Sequence, residues 1–388
     1  MKTVIEQYSL VMPKSVHAGS GAMERVTEVL QKEGTKRIAL FTDKSIMALG
    51  LTEPVEAAIR KAGADIIVFD DLATEPTVYE ADAVIQRFMS CGADFIIAVG
   101  GGSVMDIAKL CSILVHSSYT IFDLLENPGI ARKSVRTLMI PTTAGTGSEA
   151  TPNSIVCVPE KELKVGIVNT DMISDYVVLD PQMIRKLPFS IAAATGIDAL
   201  AHAMECYTSN KATPFSDLFA LQACKLIFHN IVKACADPDA QKEKSAMLLA
   251  AFYGGVAIAN SGTTIVHALA YPLGGKYHIA HGVSNAMLLA EGMAFNKPFC
   301  TDRLAQIYDA VYPEEIAVGT EAKADRIIAK LQEVVADLKI PTDLKPYGVS
   351  PEDLEDLVKS GMEVQRLLVN NCRTVTADDA RRIYQKLL

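Results

Sequence analysis

The stretch Ala93-Asp-Phe-Ile-Ile-Ala-Val-Gly-Gly-Gly-Ser-Val-Met-Asp-Ile-Ala-Lys-Leu110 decides the fold of this chain. It begins as an apolar run, which is typical of a parallel strand buried on both faces. The run stops at Gly100-Gly-Gly-Ser103 and passes directly into a good helix former. Glycine lets the backbone approach an anion, and a helix N-terminus supplies positive potential, so this turn predicts a phosphate site. A plain tight turn would also explain the glycines.

The same alternation of strand and helix patterns extends through the first half of the chain. Residues 154–169 are predicted to form a β-hairpin turning at residues 159–162, and from Pro181 onward only helical periodicity remains. We therefore predict an α/β domain at 1–185, with a mainly parallel sheet and helices on both faces, and an all-helical domain at 186–388. Strands are predicted near residues 37–43, 64–70, 94–99, 137–141 and 176–180, and helices near 21–33, 45–62, 78–91 and 103–115.

A second loop rich in glycine and hydroxyl groups follows another apolar strand. Thr137-Leu-Met-Ile140 is strand-like, and Pro141-Thr-Thr-Ala-Gly-Thr-Gly-Ser148 supplies hydroxyls and exposed amides. Such groups suit phosphate, ribose or a nicotinamide carboxamide. Two such loops at strand ends favour a nucleotide crevice at the carboxyl edge of a parallel sheet. A chemically idle surface loop is the alternative.

Asp43 bears on which nucleotide is bound. It follows the strand-like segment Arg37–Thr42 and precedes Lys44-Ser-Ile-Met. An acidic residue in this place hydrogen-bonds ribose hydroxyls and repels a 2′-phosphate, which favours NAD over NADP. Asp43 is also a good helix cap, and both roles are compatible.

A metal site is predicted from Gly196-Ile-Asp-Ala-Leu-Ala-His-Ala-Met-Glu205 together with two later histidines. Asp198 and His202 are four residues apart, which puts both side chains on one helix face. His267 and His281 each lie in a further apolar helical segment. One carboxylate and three imidazoles are suitable ligands for a divalent transition metal. Hydrogen-bonded core histidines and a buried Asp198–His202 pair are the alternative.

Composition argues against several classes of partner. Hydrophobic residues make up 49% of the 388 residues, and the net charge is −9 with no basic run. We therefore expect no binding to nucleic acid or to an anionic membrane. No window approaches about 18 uninterrupted apolar residues, and the first eight residues lack the core of a signal peptide. Eight cysteines without a C-x-x-C pair favour reduced thiols, so we expect a cytoplasmic protein.

The motifs, taken together, resemble one family. They are Gly100-Gly-Gly-Ser103-x-x-Asp106, Pro141-Thr-Thr-Ala-Gly-Thr-Gly-Ser-Glu149, Gly196-Ile-Asp-Ala-Leu-x-His202-x-x-Glu205, and His267 followed by His281-Gly282. In order and spacing they resemble the iron-containing (group III) alcohol dehydrogenases, a family that includes lactaldehyde reductase and 1,3-propanediol dehydrogenase. The resemblance covers essentially the whole chain and is weaker after residue 300.

The resemblance implies a dehydroquinate synthase-like fold whose active site lies between the two domains. It implies hydride transfer between a nicotinamide and a small primary alcohol or aldehyde, in a homodimer or higher homo-oligomer. It also implies one divalent metal, Fe²⁺ first with Zn²⁺ as the alternative, held by Asp198, His202, His267 and His281. The cofactor contacts that it implies are Asp43, Gly101, Gly102, Ser103, Thr142, Thr143, Thr146 and Lys164.

The reaction also needs a proton route, for which two residues are candidates. Several relatives carry a histidine four residues after the third ligand, and this chain has Tyr271 there. His278 lies three residues before His281. An imidazole titrates near pH ~6.5 and a phenol near ~10, so we predict that His278 is the relay. Tyr271 is then a second candidate or a core residue.

Three other functions compete with this interpretation. One is a lyase like dehydroquinate synthase, and another is a metal enzyme like glycerol dehydrogenase. The third is a non-catalytic nucleotide-binding protein. Against the lyase, the basic residues expected around a phosphorylated substrate are not evident. Against the non-catalytic protein, four well-placed ligands are seldom kept for packing alone.

Overall fold

The computed structural model describes residues 7–161, 163–315 and 318–388. Its central sheet has six strands in the order β1-β8-β5-β4-β2-β3, and each neighbouring pair is parallel. β6 and β7 form a separate antiparallel hairpin. The strand bounds are β1 Ser15–Ala18, β2 Arg37–Phe41, β3 Asp65–Phe69, β4 Phe95–Gly100, β5 Arg136–Pro141, β6 Asn153–Val158, β7 Leu163–Val168 and β8 Tyr176–Leu179.

Helices cover both faces of this sheet. In β4, Phe95, Ile97 and Val99 pack in one apolar cluster with residues of α1 and α3, whereas Ile96 and Ala98 pack in another with α4 and α5. This division explains the uninterrupted apolar run and confirms the predicted α/β architecture. The helix bounds are α1 Arg25–Glu33, α2 Lys44–Ala48, α3 Glu53–Ala62, α4 Val78–Cys91, α5 Gly102–Leu114 and α6 Ile121–Glu126.

One local prediction for this half was wrong, and two short elements were not predicted. The helix predicted over residues 45–62 is two helices, α2 and α3, because Pro54 has no amide hydrogen and fits only the first turn of a new helix. The short edge strand β1 and the short helix α6 were not predicted. The hairpin predicted over residues 154–169 is present as β6 and β7, although residue 162 of its turn lies outside the described residues.

The rest of the chain folds into helices, as predicted. Their buried residues form the largest apolar cluster of the molecule, which extends to Val177 and Leu179 of β8. The helices are α7 Phe189–Thr208, α8 Pro214–Ala236, α9 Gln241–Asn260, α10 Ile265–Tyr277, α11 His281–Val311, α12 Thr320–Asp337, α13 Leu354–Glu363, α14 Gln365–Leu368 and α15 Ala377–Gln385.

One of these helices, α8, is long and apolar enough to cross a membrane by length and composition alone. α9 and α10 pass the same test together but are bent by 105°. α8 also carries Asp217, Lys225 and Lys233, and it packs along α7 and α9. Core helices of water-soluble folds meet the same criteria, so α8 is weak evidence for a membrane span.

Candidate metal centre and nucleotide crevice

Four side chains from three helices converge on one point. Asp198 and His202 lie one turn apart on α7, His267 is the third residue of α10, and His281 begins α11. Their ligand atoms all lie within 4.8 Å of one another. Asp198 Oδ1 is 3.7 Å from His202 Nε2 and 3.6 Å from the Nε2 atoms of His267 and His281. We call these four residues the ligand group.

The ligand group fits a divalent transition metal. The side chains of Asp198, His202 and His267 are buried, and that of His281 is 29% exposed. Gaps of 3.6–3.7 Å between donor atoms suit ligands that each lie about 2.0–2.2 Å from one ion. The carboxylate and the three imidazoles are donors that both iron and zinc accept.

Burial and the two nearby carboxylates set the protonation of the imidazoles. Burial lowers the pKa of His202 to about 4 and that of His281 to about 3, so both are neutral near pH 7. Burial alone would lower the pKa of His267, but the carboxylates of Glu205 and Asp198 outweigh burial and raise this pKa to about 9. Burial raises the pKa of Asp198, and the imidazoles outweigh this and hold it below its usual range. A metal ion therefore competes with one proton at His267.

Glu205 fixes the orientation of the His267 ring from the side opposite the ligand group. Its side chain is fully buried on α7 and accepts a hydrogen bond from His267 Nδ1. It also accepts hydrogen bonds from the Thr264 amide at 3.0 Å, the Thr264 hydroxyl at 2.7 Å and the Val266 amide at 2.8 Å. The bond to Nδ1 leaves Nε2 of His267 facing the ligand group. Glu205 stands in the motif Gly196–Glu205, but its role could not be predicted from the sequence.

Glu205→Gln is expected to weaken metal binding about 10- to 100-fold, because the neutral amide no longer holds and polarises the imidazole of His267. Competition with a chromophoric chelator on metal-stripped protein measures this change. Glu333→Gln is the matched control, since the exposed Glu333 pairs with Lys330 on α12, far from the ligand group in the sequence, and this variant should bind metal normally. Equal metal affinity in Glu205→Gln and Glu333→Gln would contradict the role given to Glu205.

Asn285 lies inside the ligand group, one turn after His281 on α11. Its buried Nδ2 donates to Asp198 Oδ1 at 2.7 Å and lies 3.2 Å from His267 Nε2 and 3.3 Å from His281 Nε2. Its Oδ1 is buried and has no hydrogen-bond partner among the described residues. The amide therefore fixes the Asp198 carboxylate, a role that sequence analysis missed.

The glycine turn and the loop after β5 meet at the carboxyl edge of the sheet, as predicted. The Thr142 amide donates to the Gly100 carbonyl at 3.0 Å, and Gly102 lies against the side chain of Thr146. Gly102 begins α5, so the first-turn amides of a buried helix open towards the loop. These features are typical of a site for the phosphates of a nucleotide.

A buried lysine holds this loop in place. Lys109 on α5 is fully buried and forms an ion pair with Asp106 at 2.9 Å. Its ammonium donates to the Ser148 carbonyl at 3.0 Å and hydroxyl at 2.7 Å, and to the Asn153 carbonyl. Asp106 and Lys109 are charged residues in an otherwise apolar helix. Such charges indicate a buried polar network, although no such network was predicted from the sequence.

The loop also touches the helical half of the chain backbone to backbone. A Cβ atom at Gly147 would lie 2.6 Å from the Ala251 carbonyl oxygen and 2.7 Å from the backbone of Gly255 in α9. A Cβ at Gly254, the preceding residue of α9, would lie 3.5 Å from His202 Cβ. α9 thus contacts both the nucleotide loop and one residue of the ligand group.

One cavity of about 170 Å³ joins the crevice to the ligand group. All four ligand residues line it, and so do Gly102, Ser103, Thr146, Lys164 and Tyr271. Lys164 is 7% exposed and forms an ion pair with Glu75 at 2.6 Å. Gly101, Thr142 and Thr143 lie in the crevice but do not line this cavity among the described residues.

Asp43 caps α2, as the structural alternative predicted. Its side chain accepts a hydrogen bond from the Ile46 amide at 2.9 Å. Asp43 is half-buried at the carboxyl end of β2, the strand next to β4 in the sheet. This position leaves the predicted ribose contact as a proposal.

The two proton-relay candidates lie in different surroundings. α10 ends at Tyr277, so His278 is not on a helix face as the prediction assumed. His278 is exposed, in a left-handed backbone conformation, and is not among the described residues that line the cavity. Tyr271 lines the cavity, is 7% exposed, and its ring centroid lies 6.0 Å from that of His281.

A parallel sheet with a glycine-rich turn at its carboxyl edge, beside a largely buried group of three histidines and one aspartate, is the arrangement of an enzyme that uses a nucleotide and a metal. Two family models match the chain: iron-containing alcohol dehydrogenase over residues 13–181, and the C-terminal part of the Fe-containing alcohol dehydrogenase family over residues 192–388. The chain belongs to the iron-containing alcohol dehydrogenase family. It is an NAD-linked enzyme that interconverts alcohols and aldehydes, so the resemblance noted in the sequence is confirmed.

Known relatives match nearly the whole chain. Long-chain-alcohol dehydrogenase 1 of Geobacillus thermodenitrificans is 34% identical over 380 residues, covering 97% of this chain and 95% of that protein. NAD-dependent methanol dehydrogenase of Bacillus methanolicus is 32% identical, covering 97% and 99%. A crystal structure of 1,3-propanediol oxidoreductase aligns with a TM-score of 0.92 and 28% identity, covering 99% of this chain and all of that one.

Proposed function

We propose that this enzyme interconverts a small primary alcohol and its aldehyde, using NAD(H) in the crevice and Fe²⁺ in the ligand group. Residues 1–185 bind the nucleotide, and residues 186–388 supply the metal ligands. The observation that carries this proposal is the single cavity lined by Gly102, Ser103 and Thr146 on one side and by the ligand group on the other. Both reactants of a hydride transfer must lie in one such space.

The division of labour follows from where the side chains lie. When bound, the divalent metal supplies Lewis-acid polarisation of the substrate oxygen, and the nicotinamide supplies or accepts the hydride. Glu205 and Asn285 hold His267 and Asp198 in position. The first turn of α5 gives positive potential to the cofactor side of the cavity, and Lys164, paired with Glu75, lines the same cavity. In this proposal Tyr271, which lines the cavity, holds the proton at its hydroxyl.

The experiment that tests this proposal is NADH oxidation by a panel of short aldehydes. Metal-stripped protein is loaded with Fe²⁺ anaerobically, or with Zn²⁺, and absorbance at the NADH band is followed. We expect turnover of a short aldehyde with Fe²⁺, less with Zn²⁺, and little without metal. Absence of turnover in every metal form would overturn the proposal, and faster turnover with Zn²⁺ would overturn the choice of iron.

Asp43→Asn is expected to narrow the preference for NADH over NADPH. Asparagine caps a helix as well as aspartate does, so the cap of α2 is retained while the charge that repels a 2′-phosphate is removed. Ratios of kcat/KM for the two cofactors measure the change. An unmodified enzyme that works better with NADPH, or an unchanged ratio in Asp43→Asn, would refute the ribose contact.

We also propose a cytoplasmic homodimer or higher homo-oligomer. All eight cysteines are unpaired, which suits a reducing compartment. Apolar side chains are exposed on the helical half, for example Leu218 at 70% and Phe299 at 62%. A second copy of the chain would cover such a surface. Light scattering after size exclusion measures the mass, and a monomer at micromolar concentration would contradict this proposal.

A further inference from the structure

The wall of the cavity that faces the hairpin carries a guanidinium group. Arg366 is the second residue of the short helix α14, and its side chain lines the same cavity as the ligand group. Arg366 is exposed, and it forms no hydrogen bond or ion pair with any residue in the part of the chain that the structure describes. An arginine with five unused N–H donors at a substrate cavity is available to a ligand.

The other charges along the cavity wall are neutralised by neighbours. Glu75 pairs with Lys164 at 2.6 Å, and Asp106 pairs with Lys109 at 2.9 Å. Asp198 lies among three imidazoles. Arg366 is therefore the one charged side chain of the described cavity wall without a counterion, and it gives this end of the cavity a positive charge.

Gly166 makes room for this arginine. A Cβ atom at Gly166 on β7 would lie 2.8 Å from Nη2 of Arg366, so the guanidinium rests against bare backbone. Gly166 is two residues from Lys164, and side chains two apart on a strand share one face. Lys164 in turn reaches α10, where a Cβ at Gly274 would lie 3.2 Å from its Nζ. This series of contacts places Arg366 on the hairpin side of the cavity, with Lys164 between it and α10.

We infer that Arg366 binds an anionic group at the far end of the substrate, so that the preferred substrates are short aldehydes or alcohols carrying a carboxylate or sulfonate. The planar fork of a guanidinium matches such groups with two parallel hydrogen bonds. The aldehyde end would then lie at the ligand group, and the anionic end would supply the counterion that Arg366 lacks. This inference rests on the proposed function.

The test compares two aldehydes that differ only at the far end, 4-oxobutanoate and butanal, with NADH and the metal-loaded enzyme. We expect the unmodified enzyme to have the higher kcat/KM for 4-oxobutanoate. Arg366→Gln should lower the ratio of the two kcat/KM values about 10- to 100-fold, the loss typical of one charge-assisted pair. Arg366→Lys, which keeps the charge but not the fork, should fall between the two. Butanal serves as the internal reference for general damage.

The matched control is Arg185→Gln, since Arg185 pairs with Asp239 outside the cavity and should leave the ratio as it is. A cofactor phosphate is the other anion that Arg366 could meet. A rise in KM for NADH in Arg366→Gln with an unchanged aldehyde ratio would assign the arginine to the cofactor and overturn the inference. An unchanged ratio and an unchanged KM would overturn it as well. If neither aldehyde reacts even with the unmodified enzyme, the proposed function itself has failed.

Discussion

His267→Ala is expected to release the metal and abolish turnover. The substitution removes one of four ligands and leaves Glu205 buried with a charge that has lost its imidazole partner. Loss of a single imidazole should weaken metal binding by about 10-fold or more, with activity falling in step. Elemental analysis after dialysis measures the metal content, and NADH oxidation measures the activity.

Stability must be separated from ligation in this experiment. Asp198→Asn provides a second variant, since the amide fills the same volume and removes only the charged ligand oxygen. His17→Ala is the control, because His17 lies on β1 and is not among the described residues near the ligand group. Full metal content in a folded His267→Ala protein would show that the ligand group is not the metal site.

Tyr271→Phe is expected to lower kcat about 10²- to 10⁴-fold while metal content and NAD binding stay normal. That range is the usual cost of removing a positioned acid or base. The phenol of Tyr271 lines the cavity with its ring centroid 6.0 Å from that of His281, and phenylalanine retains its packing. Single-turnover rates on metal-loaded protein measure the effect.

His278→Ala is the variant to compare with Tyr271→Phe. His278 is exposed beyond the end of α10, so its removal should change turnover by less than about 3-fold, in line with a surface substitution. If His278→Ala proves the slower variant with its metal intact, the proton route runs through the imidazole. In that case the sequence-based ranking was correct.

Much of the fold could be predicted because the signals were local. The apolar run of β4 and the glycines after it identify a buried parallel strand and its turn. β1 was not predicted because a four-residue edge strand has no long apolar run. In addition, its pairing with β8 joins residues that are far apart in the sequence. The break between α2 and α3 was missed although Pro54 signals a helix start.

The candidate site was predictable only in part, for the same reason. The four-residue spacing of Asp198 and His202 is enough to place both side chains on one face of α7. The positions of His267 and His281 beside them depend on how three helices pack together. Asn285 was missed because an amide in an apolar helix does not reveal its partners. Arg366 gave no signal at all, since its place in the cavity depends on contact between α14 and β7.

The main-chain contact between Gly147 and α9 limits which substitutions this chain can accept. Hydride transfer requires the two reacting carbons at a fixed, short separation, and about 1 Å of misplacement can cost about 10²-fold in rate. Here the nucleotide loop and α9, the helix packed behind His202, meet through main-chain atoms at Gly147 and Gly255. A single methyl group at Gly147 or Gly255 would push the nucleotide loop away from α9, whereas substitutions of other side chains leave this main-chain contact in place.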